Sequence, residues 1–248
     1  MGRSPFRDGE EGLVVICTHH RVGTVWFHNV FNAIAAEYGL SCRKVNRGKV
    51  TAHADILLDQ HSEVDLSRLP PFRGLHIIRD PRDIVVSGFF YHQWSKESWL
   101  KEPWAELGGR TYQEHLCALP PAEGLSFEME HVSAKTIRDM LKWDYTNPAF
   151  HEIRYEDLLQ NEDVVFSEIF HFLGFRKQAD SLSICIADRF SFNRLTGRQL
   201  GEVRAGSHLR SGQIGQWRNI FTSAQKKRFT QLFPDALKQL SYETSDDW

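Results

Sequence analysis

VVICTHHRVGTVWFHNVF, residues 14–31, decides how this chain is read. An apolar strand over residues 13–17 runs into a short turn around Gly23. A helix is predicted from Thr24, with Phe27, Phe31, Ile34 and Tyr38 recurring at helical spacing. Strand, turn and helix N-terminus aim several backbone N–H groups at one spot, which suits an anion. A nucleotide-triphosphatase loop ends its turn in Gly-Lys-Ser/Thr. Here the cation, Arg21, precedes the glycine, and Thr24 and Val25 follow it. The loop is P-loop-like in outline but not in residues, so its anion must be identified from the rest of the chain.

Outward from that stretch, Gly39 is a C-cap and SCRKV, residues 41–45, a short strand. A further strand is expected over residues 55–59, and another over residues 75–78. The last of these meets Arg79, then Asp80 as N-cap, Pro81 at the first helical position and Asp83 in the first turn. That helix carries Ile84, Ser87 and Tyr91 along one side. Residues 94–150 read as helix-rich, with residues 126–145 the most periodic piece, and FHEIRYEDLLQ, residues 150–160, as a strand entering a helix. Residues 197–219 form a long Gly- and Arg-rich loop, a kind usually functional. A closing helix starts at the cap Thr222. Strands alternating with helices predict an α/β fold, a three-layer sandwich around a central parallel sheet. Ligands of such sheets bind beyond the carboxyl ends of the strands. Arg21, His61, Arg79 and Tyr155 each fall at or just past such an end.

The 248 residues are 41% hydrophobic and 12% aromatic, with 17 Gly and 9 Pro, an ordinary globular composition. No linker, repeat or low-complexity run interrupts the middle, so one domain over residues 1–248 is expected, residues 1–12 being a flexible N-terminus. A net charge of −2 offers no global basic field, so no nucleic-acid partner is expected. Cys17, Cys42, Cys117 and Cys185 lie far apart without CxxC spacing, which fits a reducing compartment. The twelve histidines include no HExxH, and no metal is expected. The polar start lacks a signal-peptide core, and Phe6 breaks the myristoylation pattern. No apolar run reaches the length of a membrane span. A cytoplasmic protein is expected.

Four constellations carry chemistry, each with a plainer reading beside it. Arg21 beside a helix N-terminus repels the helix dipole unless an anion lies between them; otherwise it is a surface arginine. Trp26 is either core or a stacking plate for a base. Arg79 and Ser87 suit one phosphate, a fork plus a hydroxyl, or else Arg79 pairs with Asp80 or Asp83. Arg210, Ser211 and Gly212 wrap a second side of that phosphate, or form a solvated loop. His61 is a base, or a surface histidine.

Five motifs in order carry a resemblance: THHRVGTVW (18–26), RDPRDIVVSGFFYH (79–92), RYEDL (154–158), SFNRL (191–195) and RSGQIGQWRNIFT (210–222). From residue 13 to about 233 the chain resembles the sulfotransferases that use 3′-phosphoadenosine 5′-phosphosulfate (PAPS). The resemblance implies that Arg21, Val22, Gly23, Thr24, Val25 and Trp26 form the loop for the 5′-phosphosulfate. It implies that Arg79, Ser87, Arg210, Ser211 and Gly212 hold the 3′-phosphate, and that Trp26, Tyr155 and Phe192 line the adenine. His61 aligns with the family's base, with His53 and His20 as fallbacks, and Arg21 stabilises the leaving group. The reaction implied is in-line sulfuryl transfer to a hydroxyl of a phenol, alcohol, lipid or sugar. Many cytosolic members carry lysine where this chain has Arg21, and the His61–Arg79 interval is shorter than in the cytosolic animal enzymes. Their dimer motif would fall on Arg218, Thr222, Ser223 and Lys227, where Ser223 and Lys227 depart from it, so no dimer of that type is expected. A P-loop-type small-molecule kinase and a non-catalytic sensor of 3′,5′-bisphosphoadenosine (PAP) stay as alternatives, Asp59 being the nearest carboxylate for a kinase's magnesium.

Overall fold

Strands buried on both faces read as continuous apolar runs rather than alternating ones. LVVIC and ILLD are of this kind, with Val14, Val15, Ile16, Cys17 and Ile56 to Asp59 all at or below 2% exposure. In the computed structural model, residues 4–10, 12–45, 48–50, 53–245 and 247–248 are described. The elements in chain order are β1 (Leu13–Cys17), α1 (Thr24–Tyr38), β2 (Cys42–Lys44), β3 (Ile56–Asp59), β4 (Phe72–Ile78), α2 (Pro81–His92), α3 (Tyr112–Ala118), α4 (Pro121–Glu130) and α5 (Val132–Lys142). They continue with β5 (Phe150–Arg154), α6 (Tyr155–Gln160), α7 (Glu162–Phe172), α8 (Lys177–Asp188), α9 (Phe192–Thr196), α10 (Trp217–Ile220), α11 (Ser223–Leu232) and α12 (Ala236–Gln239). The chain divides into two compact units. One holds the described residues up to Arg79 with Asp144–Gln199, the other Asp80–Trp143 with Leu200–Trp248.

The first unit is the expected α/β part, a central five-strand parallel sheet in the order β2-β3-β1-β4-β5 with flanking helices. Cys17 lies opposite Asp59 on one side and His76 on the other, and Ile78 lies opposite Arg154. The strands are parallel, so the chain leaves β1, β3, β4 and β5 at one edge. Helix α1 buries Trp26, Phe27, Val30, Phe31 and Ile34 against α7 and α8. Phe31 and Phe170 meet at 6.3 Å, and Phe166 stacks on Phe170 at 5.7 Å.

Two local differences from the sequence reading of this unit have simple causes. Strand β4 begins at Phe72 rather than at residue 75, because Arg73 and Gly74 interrupt the apolar run without ending the pairing. Gly74 is there for space: a Cβ would sit 2.3 Å from the Phe150 ring. The N-terminal segment is not free throughout. Phe6 is buried at 5% exposure and packs edge-on against Phe175, while Arg7 N–H donates to the Gly174 carbonyl at 2.7 Å. One apolar anchor thus ties Phe6, within the segment 1–12 expected to be flexible, to Phe175; residues 1–3 and 11 lie outside the described residues.

The second unit is helical. Helix α2 is buried on almost every side, and Val85, Val86 and Phe89 meet Leu116, Leu125, Met129 and Ile137. The periodic stretch 126–145 breaks at His131 (φ −112°, ψ −91°) into α4 and α5. The closing helix also breaks, because Pro234 cannot continue it and Asp235 turns left-handed at φ 59° before α12. No helix among the described residues is long and apolar enough to cross a membrane.

Candidate functional site

The loop between β1 and α1 is held by its own polar groups. Thr24 Oγ1 donates to the His19 carbonyl at 2.8 Å and lies 3.0 Å from Thr18 Oγ1. Val22 N–H closes a turn onto the same carbonyl at 3.3 Å. Arg21 adopts φ 66°, a left-handed conformation rare for a side chain of its size, and Gly23 follows at φ 88°. Gly23 is doubly constrained, because a Cβ there would come within 3.0 Å of the Tyr155 ring. The first-turn N–H groups of a helix have no intrahelical acceptor. Those of Thr24, Val25 and Trp26 therefore open at the N-terminus of the fifteen-residue α1.

Arg79 closes the loop from the end of β4. Its Nη1 donates to the Arg21 carbonyl at 3.1 Å, and its guanidinium lies 4.7 Å from the centre of the Tyr155 ring. Arg79 is 7% exposed, and its Nε is buried with no hydrogen-bond partner among the described residues. The plainer reading, pairing with Asp80 or Asp83, does not describe it. Asp80 caps α2 and grips Arg82 at 2.8–3.2 Å. A buried guanidinium with no carboxylate partner among the described residues, beside an open helix N-terminus, is a place for an anion.

On the other side of β1, Asp59 ends β3 and organises the turn that carries His61. Its carboxylate accepts the N–H groups of His61 (3.0 Å), Glu63 (2.7 Å) and Val64 (2.7 Å). Ser62, left-handed at φ 53°, donates to the Thr18 carbonyl at 2.9 Å and so ties this turn to the β1–α1 loop. The His61 Nε2 lies 3.2 Å from Gln60 Nε2. His20 is partly exposed and His53 exposed. Arg21, His61, Arg79 and Tyr155 therefore all leave the sheet at one edge, on four strands that run side by side.

Of the aromatic candidates, Trp26 is 9% exposed and meets Tyr155 at 6.3 Å and Phe166 at 6.1 Å, both edge-on. Its Nε1 is buried without a partner among the described residues. Phe192 begins α9 and carries the Arg198 guanidinium over its ring at 5.0 Å.

The second unit holds Ser87, Arg210, Ser211 and Gly212. Asp83, Ser87 and Phe90 share a face of α2 by their spacing of four and three. Segment 210–217 lies along that face. Asp83 accepts from the N–H groups of Gly215 (2.6 Å) and Trp217 (3.1 Å), and the Arg210 guanidinium lies 4.0 Å over Phe90. Arg210 also bonds the Gln216 side chain. Arg82 reinforces the contact, its guanidinium 3.8 Å over Trp217 and bonded to Glu243 at 2.6 Å. The face of α2 that meets Gly215, Trp217 and Arg210 through Asp83 and Phe90 is thus the one that carries Ser87. The sequence reading had no view of these contacts of Asp83 and Arg82, since Gly215, Trp217 and Glu243 lie more than a hundred residues away.

A further group escaped the sequence reading. His76, wholly buried inside β4, has its Nδ1 2.6 Å from Glu152 Oε2 and its Nε2 2.9 Å from His19 Nε2. Burial pushes the His76 pKa down to about 3. A histidine in the middle of an apolar strand was the available signal.

A family model described as "Sulfotransferase domain" matches residues 12–241. Mouse sulfotransferase 2A1 is 30% identical over 174 residues, which is 66% of this chain and 56% of that protein. Human sulfotransferase 2A1 is 27% identical over 180 residues, 68% and 58% of the two chains. The chain thus spans a little over half the length of these two relatives. Mouse sulfotransferase 2A2 is 26% identical over 266 residues, covering 95% and 87%. Among solved structures, mouse sulfotransferase SULT7A1 complexed with PAP shares the fold at TM-score 0.61 and 18% identity, covering 94% of this chain and 86% of that one. Retinol dehydratase in complex with androsterone and PAP does so at TM-score 0.56 and 15% identity, covering 91% and 80%. With the family model matched from before β1 to beyond α12, the chain belongs to the sulfotransferase family.

Proposed function

We propose that this protein transfers a sulfuryl group from PAPS to the hydroxyl of a small-molecule acceptor, and that residues 1–248 act as one sulfotransferase domain. The observation that carries the reading is Arg79, a buried guanidinium with no carboxylate partner among the described residues, bonded to the left-handed Arg21 beside the open N-terminus of α1. Left alone, such a group is costly, and an anionic ligand removes the cost. Relatives of the same fold were solved with PAP.

In this reading Arg21, Val22 and the N–H groups of residues 23–26 form the loop that holds the 5′-phosphosulfate. Arg79, Ser87, Arg210, Ser211 and Gly212 bind the 3′-phosphate, and Trp26, Tyr155 and Phe192 line the adenine. PAPS supplies the sulfuryl group on a phosphate leaving group. The acceptor oxygen forms a bond to sulfur as the bond from sulfur to the phosphate oxygen breaks. Arg21 and the helix N–H groups neutralise the charge growing on that phosphate, and PAP is released. The acceptor proton passes to His61, whose turn is held rigid by Asp59. Arg21 stabilises charge but donates no proton, its pKa being out of reach.

The kinase alternative is weakened at its nearest carboxylate for magnesium, because Asp59 already accepts three backbone N–H groups. Cysteines dispersed without pairing motifs favour a cytoplasmic setting. The test is transfer of labelled sulfate from PAPS to a panel of phenols, sterols, alcohols and sugars. Wild-type protein is expected to label at least one class. His61→Ala is expected to lose roughly a hundredfold or more in kcat while keeping its affinity for PAP. Undiminished turnover in His61→Ala would move the base to His53 or His20, and undiminished PAP binding without any transfer would favour the sensor.

A further inference from the structure

Beneath the β1–α1 loop, three side chains form a continuous line of short hydrogen bonds that the reaction itself does not use. Glu152 Oε2 lies 2.6 Å from His76 Nδ1, and His76 Nε2 lies 2.9 Å from His19 Nε2. Ser62 Oγ lies 3.4 Å from that same His19 nitrogen while donating to the Thr18 carbonyl at 2.9 Å. His76 is wholly buried and His19 is 2% exposed. The rings of His19 and His76 meet edge-on, with centres 5.1 Å apart.

The proton positions follow one from another. An ionised carboxylate only accepts, so the hydrogen in the Glu152 contact belongs to His76 Nδ1. Burial keeps the His76 ring neutral, which leaves its Nε2 as a bare lone pair. His19 must then donate from Nε2, and its tautomer is set by a carboxylate two strands away. His19 is also the residue whose carbonyl receives Thr24 Oγ1 and Val22 N–H. Its side chain is pinned from below while its backbone anchors the loop above. Through Ser62 the same residue touches the turn that carries His61.

We propose that Glu152, His76 and His19 are positioning residues that hold the phosphosulfate loop, and through Ser62 the His61 turn, in a single register. What the loop holds rests on the sulfotransferase reading; the line of hydrogen bonds does not. A loop anchored this way keeps its N–H groups aimed before the ligand arrives, and a ligand then loses less freedom in binding.

The test uses full-length protein, PAP as probe, and NMR of nitrogen-labelled histidine. Wild type is expected to show His76 protonated at Nδ1 and His19 at Nε2. In Glu152→Gln, whose amide can present either group to His76, mixed tautomers are expected. His19→Ala is expected to bind PAP about tenfold more weakly, the effect of one lost buried hydrogen bond on a dissociation constant. His19→Gln, whose amide N–H reaches the place of Nε2–H, is expected to recover most of that loss. A general packing role would not be rescued by glutamine. Folded His19→Ala that binds PAP as wild type does, His19→Gln as weak as His19→Ala, or His19 carrying its proton on Nδ1 would each overturn the proposal. Wild type that fails to bind PAP at all would instead sink the sulfotransferase reading, and the tautomers would still decide the relay.

Discussion

The Arg79 side chain donates to the main-chain carbonyl of Arg21 at 3.1 Å, so one motif's arginine holds the backbone of the other's. The contact explains how a residue as large as Arg21 keeps φ 66°. Such conformations cost about 1–3 kcal/mol and persist only where the surroundings enforce them. Arg79→Ala is therefore expected to do two things. It removes a charge from the anion site, and it frees the Arg21 carbonyl. PAP affinity, read by calorimetry, should fall by roughly tenfold or more. Arg79→Lys should recover little, since a lysine lacks the planar fork that bonds the carbonyl while lying against Tyr155.

Gly23 is held by both its backbone and its neighbour. Gly23→Ala meets a left-handed φ and a Tyr155 ring carbon 3.0 Å from the new Cβ. A loss of about 1–3 kcal/mol in urea unfolding is expected. Adding Tyr155→Ala should return the steric part and leave the backbone part, so the two changes should be non-additive. Strict additivity would mean that the ring does not confine the glycine.

Much of this arrangement was legible in the sequence, and the boundary is instructive. Helix α1 announces itself through Gly23, Gly39 and an apolar face. Helix α2 does so through Asp80 and Pro81, because caps and periodicity act over a few residues. The sheet edge followed from the alternation of strands and helices. What escaped depends on partners far along the chain. Asp83 looked like a first-turn helix charge, yet it accepts the N–H groups of Gly215 and Trp217. His76 drew no notice within its strand, and its partners are His19 beyond β1 and Glu152 on β5. Arg21 carries no local sign of positive φ, because the cause lies in Arg79.

The second unit is organised by a wholly buried carboxylate. Glu128 lies 2.7 Å from His92 Nδ1 and accepts from Tyr112 OH at 2.8 Å and Ser133 Oγ at 2.7 Å. Gly88 makes room for it, since a Cβ there would lie 2.4 Å from Glu128 Oε1. Burial alone would raise this carboxyl, but the charge and hydrogen bond of His92 and the two hydroxyls outweigh it and hold it below its ordinary value. A depressed carboxyl contributes stability that is complete above its unfolded pKa, about 4.3, and is lost as pH falls through the lower folded value. Glu128→Gln is expected to cost about 3–5 kcal/mol near neutrality, because it leaves His92 without its carboxylate. It should also flatten the fall of stability as pH drops below about 4.3, where the unfolded carboxyl takes up its proton before the folded one does. Urea titrations across that range would show both effects, and an unchanged acid slope would mean that Glu128 is not the group responsible.

The central claim is that the loop of Arg21 and Gly23, closed by Arg79, binds a 3′,5′-bisphosphorylated adenosine. Thermal unfolding of the wild-type protein with PAP, set against ATP with magnesium, tests it most directly. A ligand at about a hundredfold its dissociation constant adds roughly 2.7 kcal/mol, a readily visible rise in midpoint. Stabilisation by PAP, absent with ATP and magnesium and cut by about half or more in Arg79→Ala at the same PAP concentration, is the expected result. Stabilisation by ATP with magnesium and not by PAP would contradict the account.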